Sequence, residues 1–385
     1  MVEKIDLNNL DKSGWESFRF EDIAKRISES VDPNTTLLEK YVGLEHIDAE
    51  NIHINRYGSP DDVSGGKLKC YPGDVIFGKR RAYQRKAAVV DFEGICSAHA
   101  FVFRANPEVI EPKLFPFFLH SDQFMHRAVD ISVGGLSPTI NWGDLKHQEF
   151  LLPPKAEQAR LAELLWAMDE VIEKEKDVLK KLENSKLTIE KSISKFLETE
   201  SSINAEVFFN RVTDGTHDTP KKQSSGYRLL TSKNIKNNML DFETDYFISE
   251  DDYENVNKRS KVDRNDILFG MIGTVGQVCR ITEEPNFAIK NMGLFKTNDE
   301  NKSKLGYFYF KSRYFQNRLL ANLSGTTQKY VSLSFLRGLK LPDPSNTSII
   351  NWMKKEEQFE FSLSLVNSKI SSSQSLQKSL INQIF

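Results

Sequence analysis

LPPKAEQARLAELLWAMDEVIEKEKDVLKKLENSKLTIEKSISKFLE, residues 152–198, carries apolar side chains at Leu161, Leu164, Met168, Val171, Val178, Leu182, Ile189 and Phe196. These positions step by three and four, and Glu175, Ser185 and Ser192 fill the slots where the step lapses. Such a stripe is the seam of a long helix laid lengthwise on another helix. Roughly 44 residues rising about 1.5 Å each make a rod on the order of 65 Å. That exceeds the usual globular helix, so the stretch predicts a spacer or dimerising helix rather than a core helix of one domain. Because it lies in mid-chain, a folded region is expected at each end.

Upstream, residues 15–26 read as a short strand or turn feeding a helix, with Glu21 and Asp22 near its start. Strands are expected at 41–47, 70–77, 87–92 and 98–104, with Pro72-Gly73 supplying a turn. Residues 114–128 predict an aromatic-rich helix, 132–140 a Gly/Ser/Pro loop, 142–147 a short helix and 149–152 a last strand. Beyond a polar break at 198–204, strands are expected at 227–231, 267–269, 275–281 and 287–295. An aromatic-rich helix at 305–321, a Gly/Ser/Thr loop at 323–330 and a strand at 339–341 follow. From Ile349 a second long helix is expected, apolar at Trp352, Phe359, Leu363, Val366, Ile370, Leu380 and Ile384.

The order is domain, long helix, domain, long helix, and local sequence repeats with it. GDVIFG at 73–78 matches NDILFG at 265–270, Asp74 and Asp266 lying 192 residues apart. SDQFMHR at 121–127 matches SRYFQNR at 312–318, Arg127 and Arg318 lying 191 apart, and the loops SVGGLSPTI and LSGTTQKYV follow at nearly the same offset. Two copies of one unit pack about an approximate two-fold axis, their long helices antiparallel, a shape that suits a split DNA site.

With 385 residues the chain has room for two or three domains. Its 54 acidic and 52 basic residues nearly cancel, so any nucleic acid must be held by local patches or with a partner's charge. Cys70, Cys96 and Cys279 show no paired spacing, which argues against a disulfide framework or a zinc cluster. No apolar run approaches a membrane span and the N-terminus lacks a signal-peptide core, so a cytoplasmic protein is expected.

The sharpest charged stretch is Lys79-Arg80-Arg81-Ala82-Tyr83-Gln84-Arg85-Lys86. Undiluted by acids and interleaved with Tyr83 and Gln84, it suits a loop that grips phosphates and reaches base edges; the alternative is a solvated face. The second copy has GMIGTVGQVCR there, nearly uncharged, so two DNA-reading domains would use different side chains. At 213–220 the run TDGTHDTP sets His217 between Asp214 and Asp218, either a metal or proton-transfer site or a turn with capped amides. The loops at 134–141 and 324–329 expose hydroxyls and amides that serve DNA contacts or turns equally well. No P-loop, amino-methylating Asn/Asp-Pro-Pro-Tyr, His-Glu-x-x-His or Gly-x-Ser-x-Gly pattern occurs. Cys96 near His99 sits in a strand context, which argues against a thiol nucleophile. Asp91 with Glu111 and Lys113 faintly mimics a metal-dependent nuclease, but Pro112 stands where such a site wants regular strand.

YVGLEHI, GDVIFGKRRAYQRKAAVVDFEGICSAHAFVFR, GGLSPTINW and LPPKAEQARLAELLWAMDE in the first half, with TDGTHDTP, NDILFGMIGTVGQV and SGTTQKYVS in the second, resemble the specificity subunit of type I restriction–modification systems across essentially the whole chain. Pro153, Pro154, Glu157 and Gln158 at the start of the long helix are characteristic; the second half, with Leu341-Pro342-Asp343-Pro344, lacks that start. The resemblance implies an α+β fold: two mixed α/β target-recognition domains in pseudo-two-fold repeat, separated by two long helices forming an antiparallel coiled coil. Boundaries are expected at 1–152, 153–200, 201–344 and 345–385. It further implies a non-catalytic subunit that reads one half of a bipartite duplex-DNA site with each domain, the coiled coil setting the gap. Two adenine-N6 methyltransferase subunits would dock at Pro153, Pro154, Glu157 and Gln158, and two motor–nuclease restriction subunits would join. S-adenosylmethionine, ATP and Mg²⁺ would belong to those partners, with no cofactor or metal in this chain. Expected DNA contacts are Lys79, Arg80, Arg81, Tyr83, Gln84, Arg85, Ser137, Thr139, Asn141, His217, Thr326, Thr327, Gln328 and Lys329. A stand-alone Mg²⁺-dependent endonuclease and a coiled-coil scaffold without a DNA role are the competing readings.

Overall fold

The computed structural model describes residues 12–200, 202–244, 246–321, 323 and 329–385. Two compact units emerge, Met1–Asp177 with Asn367–Phe385 and Val178–Val366, so each unit contains part of both long helices. In the first unit the strand Glu16–Arg19 pairs antiparallel with Glu149–Leu152, bringing entrance and exit together. An antiparallel sheet lies between them, ordered Ala24–Ile27, Ala100–Ala105, Val75–Gly78, Ala87–Val89. A second sheet orders Ser30–Val31, Lys67–Cys70, Gly94–Cys96 and Tyr41–Val42, the last pair parallel. Phe20, Phe77, Phe103, Phe118, Phe124 and Phe150 fill the main core, fully buried.

The second unit repeats this plan. Ser202–Asn204 pairs with Lys340–Pro342, and a four-stranded sheet orders Arg211–Asp214, Met292–Lys296, Ile267–Gly270 and Val278–Arg280. A three-stranded sheet, Phe247–Ile248, Tyr227–Thr231 and Phe287–Lys290, again ends in a parallel pair. Duplication is therefore structural as well as sequential.

One buried carboxylate marks the same place in each copy. Asp74, 0% exposed, accepts from the Tyr71 amide at 3.0 Å and from Arg104 Nε at 2.7 Å. Asp266, 1% exposed, accepts from the Asp263 amide and from Lys296 Nζ, both at 2.8 Å. Burial raises the Asp266 carboxyl above its usual range, although Lys296 and two backbone amides pull it back. The aromatic-rich helices also break alike. Where one helix per copy is expected, Ser121 and Ser312 end Phe115–His120 and Glu300–Lys311, and each serine hydroxyl accepts the amide three residues on. A serine hydroxyl at an N-cap satisfies one orphan donor of the new helix.

The long helices are Lys155–Thr199 and Thr347–Ile384. Their seam is broader than the expected one: Leu161 is buried and Leu164, Met168, Ile189 and Phe196 pack against the cores as expected, but Leu165, Ile172, Ile193 and Leu197 are buried as well, whereas Val171 and Val178 are 50% and 46% exposed. Adjacent apolar pairs such as Leu164-Leu165, Val171-Ile172 and Phe196-Leu197 give a period count two solutions, and packing buries the second more deeply each time. In the first unit Leu161, Ala162 and Leu165 share a core with Leu380, Ile381 and Ile384, and Gln377 donates to the Leu165 carbonyl at 3.3 Å. In the second unit Lys186 lies 3.6 Å from Glu356, and Asn346 donates to Glu200 at 2.9 Å. Rising numbers on one segment meet falling numbers on the other, so the segments run antiparallel. No helix of the described residues is long and apolar enough to cross a membrane.

Asp266→Ala leaves two backbone amides without their acceptor and takes one of three acceptors from Lys296. It is expected to lower unfolding free energy by about 2–3 kcal/mol in denaturant titration. A loss under about 0.5 kcal/mol, ordinary for a surface change, would contradict this structural role.

Candidate nucleic-acid interface

Strand Val75–Gly78 delivers the chain into the basic loop, which Gly78 closes by donating its amide to the Lys86 carbonyl at 2.9 Å. A single 3₁₀ turn, Ala82–Gln84, is flanked by Arg81 and Arg85, both left-handed at φ 55° and 52°. Left-handed backbone costs about 1–2 kcal/mol per non-glycine residue, so something must hold the loop. The Gly/Ser/Pro loop does so: the Arg81 amide donates to Pro138 O at 2.7 Å, the Ile140 amide to Lys79 O at 2.9 Å, and Arg80 bridges Thr139. Two stretches singled out separately in the sequence are thus one stitched surface.

Arg80, Arg81 and Tyr83 are exposed on it, Gln84, Ser137 and Thr139 are half-buried, and Asn141 is exposed with its amide donating to Asp144. Lys79 lies 5.3 Å over the Phe101 ring, and burial with the charges of Arg26 and Arg80 lowers its affinity for the proton. Arg26 sits over Phe101 and Trp142, at 6.0 and 5.9 Å. His99 Nε2 is 3.2 Å from Arg80 Nη1; its residual burial first, then Arg80 and Lys79, hold it below the ordinary histidine value, so it is a neutral acceptor. Arg26 and His99 were not singled out from the sequence. Arg26 closes the stretch that reads as a strand or turn feeding a helix, whereas the strand Ala24–Ile27 carries it, and His99 reads only as a thiol's neighbour.

Arg85 behaves differently. It ion-pairs with Glu50 at 3.1 Å and Asp122 at 2.8 Å and donates to the His120 carbonyl at 2.8 Å, with 18% of its side chain exposed. Lys378 holds Glu50 at 2.6 Å, and Asn382 donates to Asp122 at 2.7 Å, so the loop is moored to the end of the second long helix. His120, buried beside it, donates to Ala87 O and is pushed down to about 4 by desolvation.

In the second unit the stitch recurs without the charge. Ile272 bridges Tyr330, and the Val331 amide donates to Met271 O at 3.0 Å, positions 191–192 residues beyond their counterparts. Thr326, Thr327 and Gln328 lie outside the described residues; Lys329 is exposed. Beside this loop, strand Arg211–Asp214 ends in a carboxylate that is 2% exposed. Asp214 holds His217 Nε2 at 3.0 Å and the Arg259 guanidinium, while His217 Nδ1 is 2.9 Å from Asn291 Oδ1. Gly215 permits the approach: a Cβ there would lie 2.5 Å from the Ile289 carbonyl oxygen. Arg259 lies in the last turn of a helix, Glu250–Ser260, that has no counterpart in the expected elements; the Ser249 cap, the acids Glu250, Asp251 and Asp252, and the basic Lys258 and Arg259 near its end are its signal.

The residues expected at the docking point divide. Glu157 is exposed and Pro154 half-buried, but Pro153 is buried, and Gln158, 1% exposed, accepts from the Glu111 amide and donates to Val109 O and Pro153 O. Gln158 therefore staples the first domain to the helix. Among the described residues the one group whose ligand atoms cluster as a metal site would is His53, Asp169 and Glu173, within 4.8 Å. Those atoms are already paired, His53 with Asp169 and Glu173 with Lys176, both at 2.7 Å, so the cluster is an ion-pair pin. Asp91, Glu111 and Lys113 form no such group, leaving the nuclease reading without support.

Comparison with known proteins gives a consistent picture. The family described as type I restriction modification DNA specificity domain matches twice, over residues 12–184 and 206–358. The specificity subunit of the Escherichia coli type I restriction enzyme EcoDI is 29% identical over 172 residues, covering 42% of this chain and 37% of that relative. The S subunit of a type I system from M. genitalium superposes with a TM-score of 0.61 at 14% identity over 98% of both chains. A chain from a type I R-M system studied for complex assembly and conformational transition gives 0.61 at 16% identity over 97% of both. At those identities the likeness is one of fold.

Two expectations follow. Arg85→Ala lowers stability by about 2–3 kcal/mol, whereas Arg81→Ala changes it by less than about 0.5 kcal/mol, in parallel denaturant titrations; equal effects would contradict the division. Because the folded-state value of His120 is depressed, its contribution is intact above about 6.5 and lost as pH falls towards 4. Wild type should lose about 3 kcal/mol more than His120→Gln over that range, and matching pH–stability curves would refute it.

Proposed function

Since the chain belongs to the type I restriction–modification DNA specificity family, we propose that it is the subunit that reads a bipartite DNA site and does no chemistry itself. The observation that carries this is the stitched pair of loops in the first unit, which fixes Arg80, Arg81 and Tyr83 outward beside Arg26 and Lys79. Rigidly held arginines contact phosphates and can fork onto guanine, and an exposed tyrosine adds a stacking face. Arg85 is committed to its ion pairs and takes no part in the contact proposed. Each unit reads one half-site, and the long helices set the gap between halves.

Methylation at adenine N6 and, where present, restriction fall to partner subunits, two methyltransferases and two motor–nucleases, which bring S-adenosylmethionine, ATP and Mg²⁺. Glu157 and Pro154 remain as the docking surface near the start of the first long helix. A complex acting on chromosomal DNA places the protein in the cytoplasm. The near-neutral net charge supports binding within such a complex, where partners add positive field.

Purified alone, the chain is expected to leave DNA unmethylated; with the methyltransferase subunit it should direct methylation to a split motif. Methylation or cleavage by the chain alone would overturn the proposal. Arg80→Ala with Arg81→Ala should weaken duplex binding and flatten its salt dependence by about one unit of slope per lost phosphate contact. Unchanged affinity would favour a scaffold.

A further inference from the structure

We infer that Arg259 reads a guanine in the half-site of the second unit, its guanidinium aimed by the buried carboxylate of Asp214. The inference rests on the DNA-reading function proposed above and deepens it. In the first unit the cationic groups sit on the loop between strands Val75–Gly78 and Ala87–Val89; in the second the equivalent loop, residues 271–277, carries none. Charge reappears next to it. Asn291 occupies the position of His99, 192 residues earlier, which touches Arg80 in the first unit. In the second unit Asn291 meets His217, and His217 shares Asp214 with Arg259. Asn291 ties the 214–219 turn to the silent loop: its amide donates to Thr216 O at 3.1 Å, its carbonyl accepts from Ser232 Oγ at 3.0 Å, and the Met271 amide donates to Ser232 Oγ at 3.3 Å. Arg259 and His217 therefore stand beside the loop equivalent to the basic one.

A base edge, rather than a phosphate, is the chemistry this arrangement fits. Asp214 cancels most of the charge that would draw a phosphate, but it takes only part of a five-donor fork. With 52% of its side chain exposed, Arg259 keeps donors for a bidentate acceptor, and guanine O6 and N7 are that acceptor in the major groove. A buried carboxylate, 3% exposed in its side chain, fixes the fork before DNA arrives, which a directional contact needs and a phosphate contact does not. His217, 62% exposed on the same carboxylate, lies beside it as a second polar contact.

The test maps methylated adenines for the full chain with its methyltransferase subunit, comparing wild type with Arg259→Ala and Arg259→Lys. Lysine keeps the charge partner of Asp214, and circular dichroism establishes that each variant is folded. Both variants should relax the motif at one G·C pair of one half-site, discrimination there falling roughly 5- to 150-fold, with the other half intact. Uniformly weaker methylation with an intact motif, a phosphate contact only, overturns the inference, as does no change. A wild-type complex lacking any split motif would instead overturn the functional proposal on which it rests.

Discussion

A carboxylate sealed from water at the head of the central strand fixes each unit. Asp74 and Asp266 each accept a backbone amide three residues back and a cation from the neighbouring strand, Arg104 or Lys296. The strand is buried on both faces, so a one-residue slip would send the side chains of one core into the other and strand the buried charge, and the register has a single low-energy solution. The strand runs directly from the aspartate to the loop proposed to meet DNA in the first copy, residues 79–86, and to its uncharged equivalent in the second, residues 271–277. Loop position is thus set by an interaction at the opposite end of the strand.

Because the scaffold is so fixed, the copies are free to differ where they face outward. Backbone stitching between the hairpin loop and the later Gly/Ser loop is the same in both: Arg80 with Thr139, Ile272 with Tyr330. Side chains on it are not. The first unit puts arginines on the hairpin itself, whereas the second clusters Arg259 and His217 on Asp214 beside an uncharged hairpin. A constant frame with exchangeable polar groups is what a pair of domains needs to read two different half-sites.

Much of the frame was legible in the sequence, because periodicity and repetition are local or additive signals. The first long helix, expected from Pro153 to Glu198, spans Lys155–Thr199, and the strand after Asp266 falls where expected, whereas the strand expected at 70–77 is confined to Val75–Gly78, Cys70 ending the strand before it. Choice between adjacent apolar residues was not legible: Val171 and Ile172 satisfy the same period, and only packing buries the second. Side-chain commitments were equally hidden. Arg85 reads as one more cation in a basic run until Glu50 and Asp122, 35 residues before and 37 after, are brought against it. Gln158 in the helix start turns inward to three backbone groups for the same reason, and Arg259 lies on a short helix whose signal is confined to its Ser249 cap and end charges, without an apolar stripe to mark it.

The most direct test of one unit reading one half-site is an exchange. Residues 202–342, bounded by the paired strands Ser202–Asn204 and Lys340–Pro342, would be replaced by the corresponding stretch of another family member, and methylated adenines mapped with the partner methyltransferase present. The account predicts a motif in which one half changes while the other half and the gap persist. A motif altered in both halves, or unaltered in either, would contradict it.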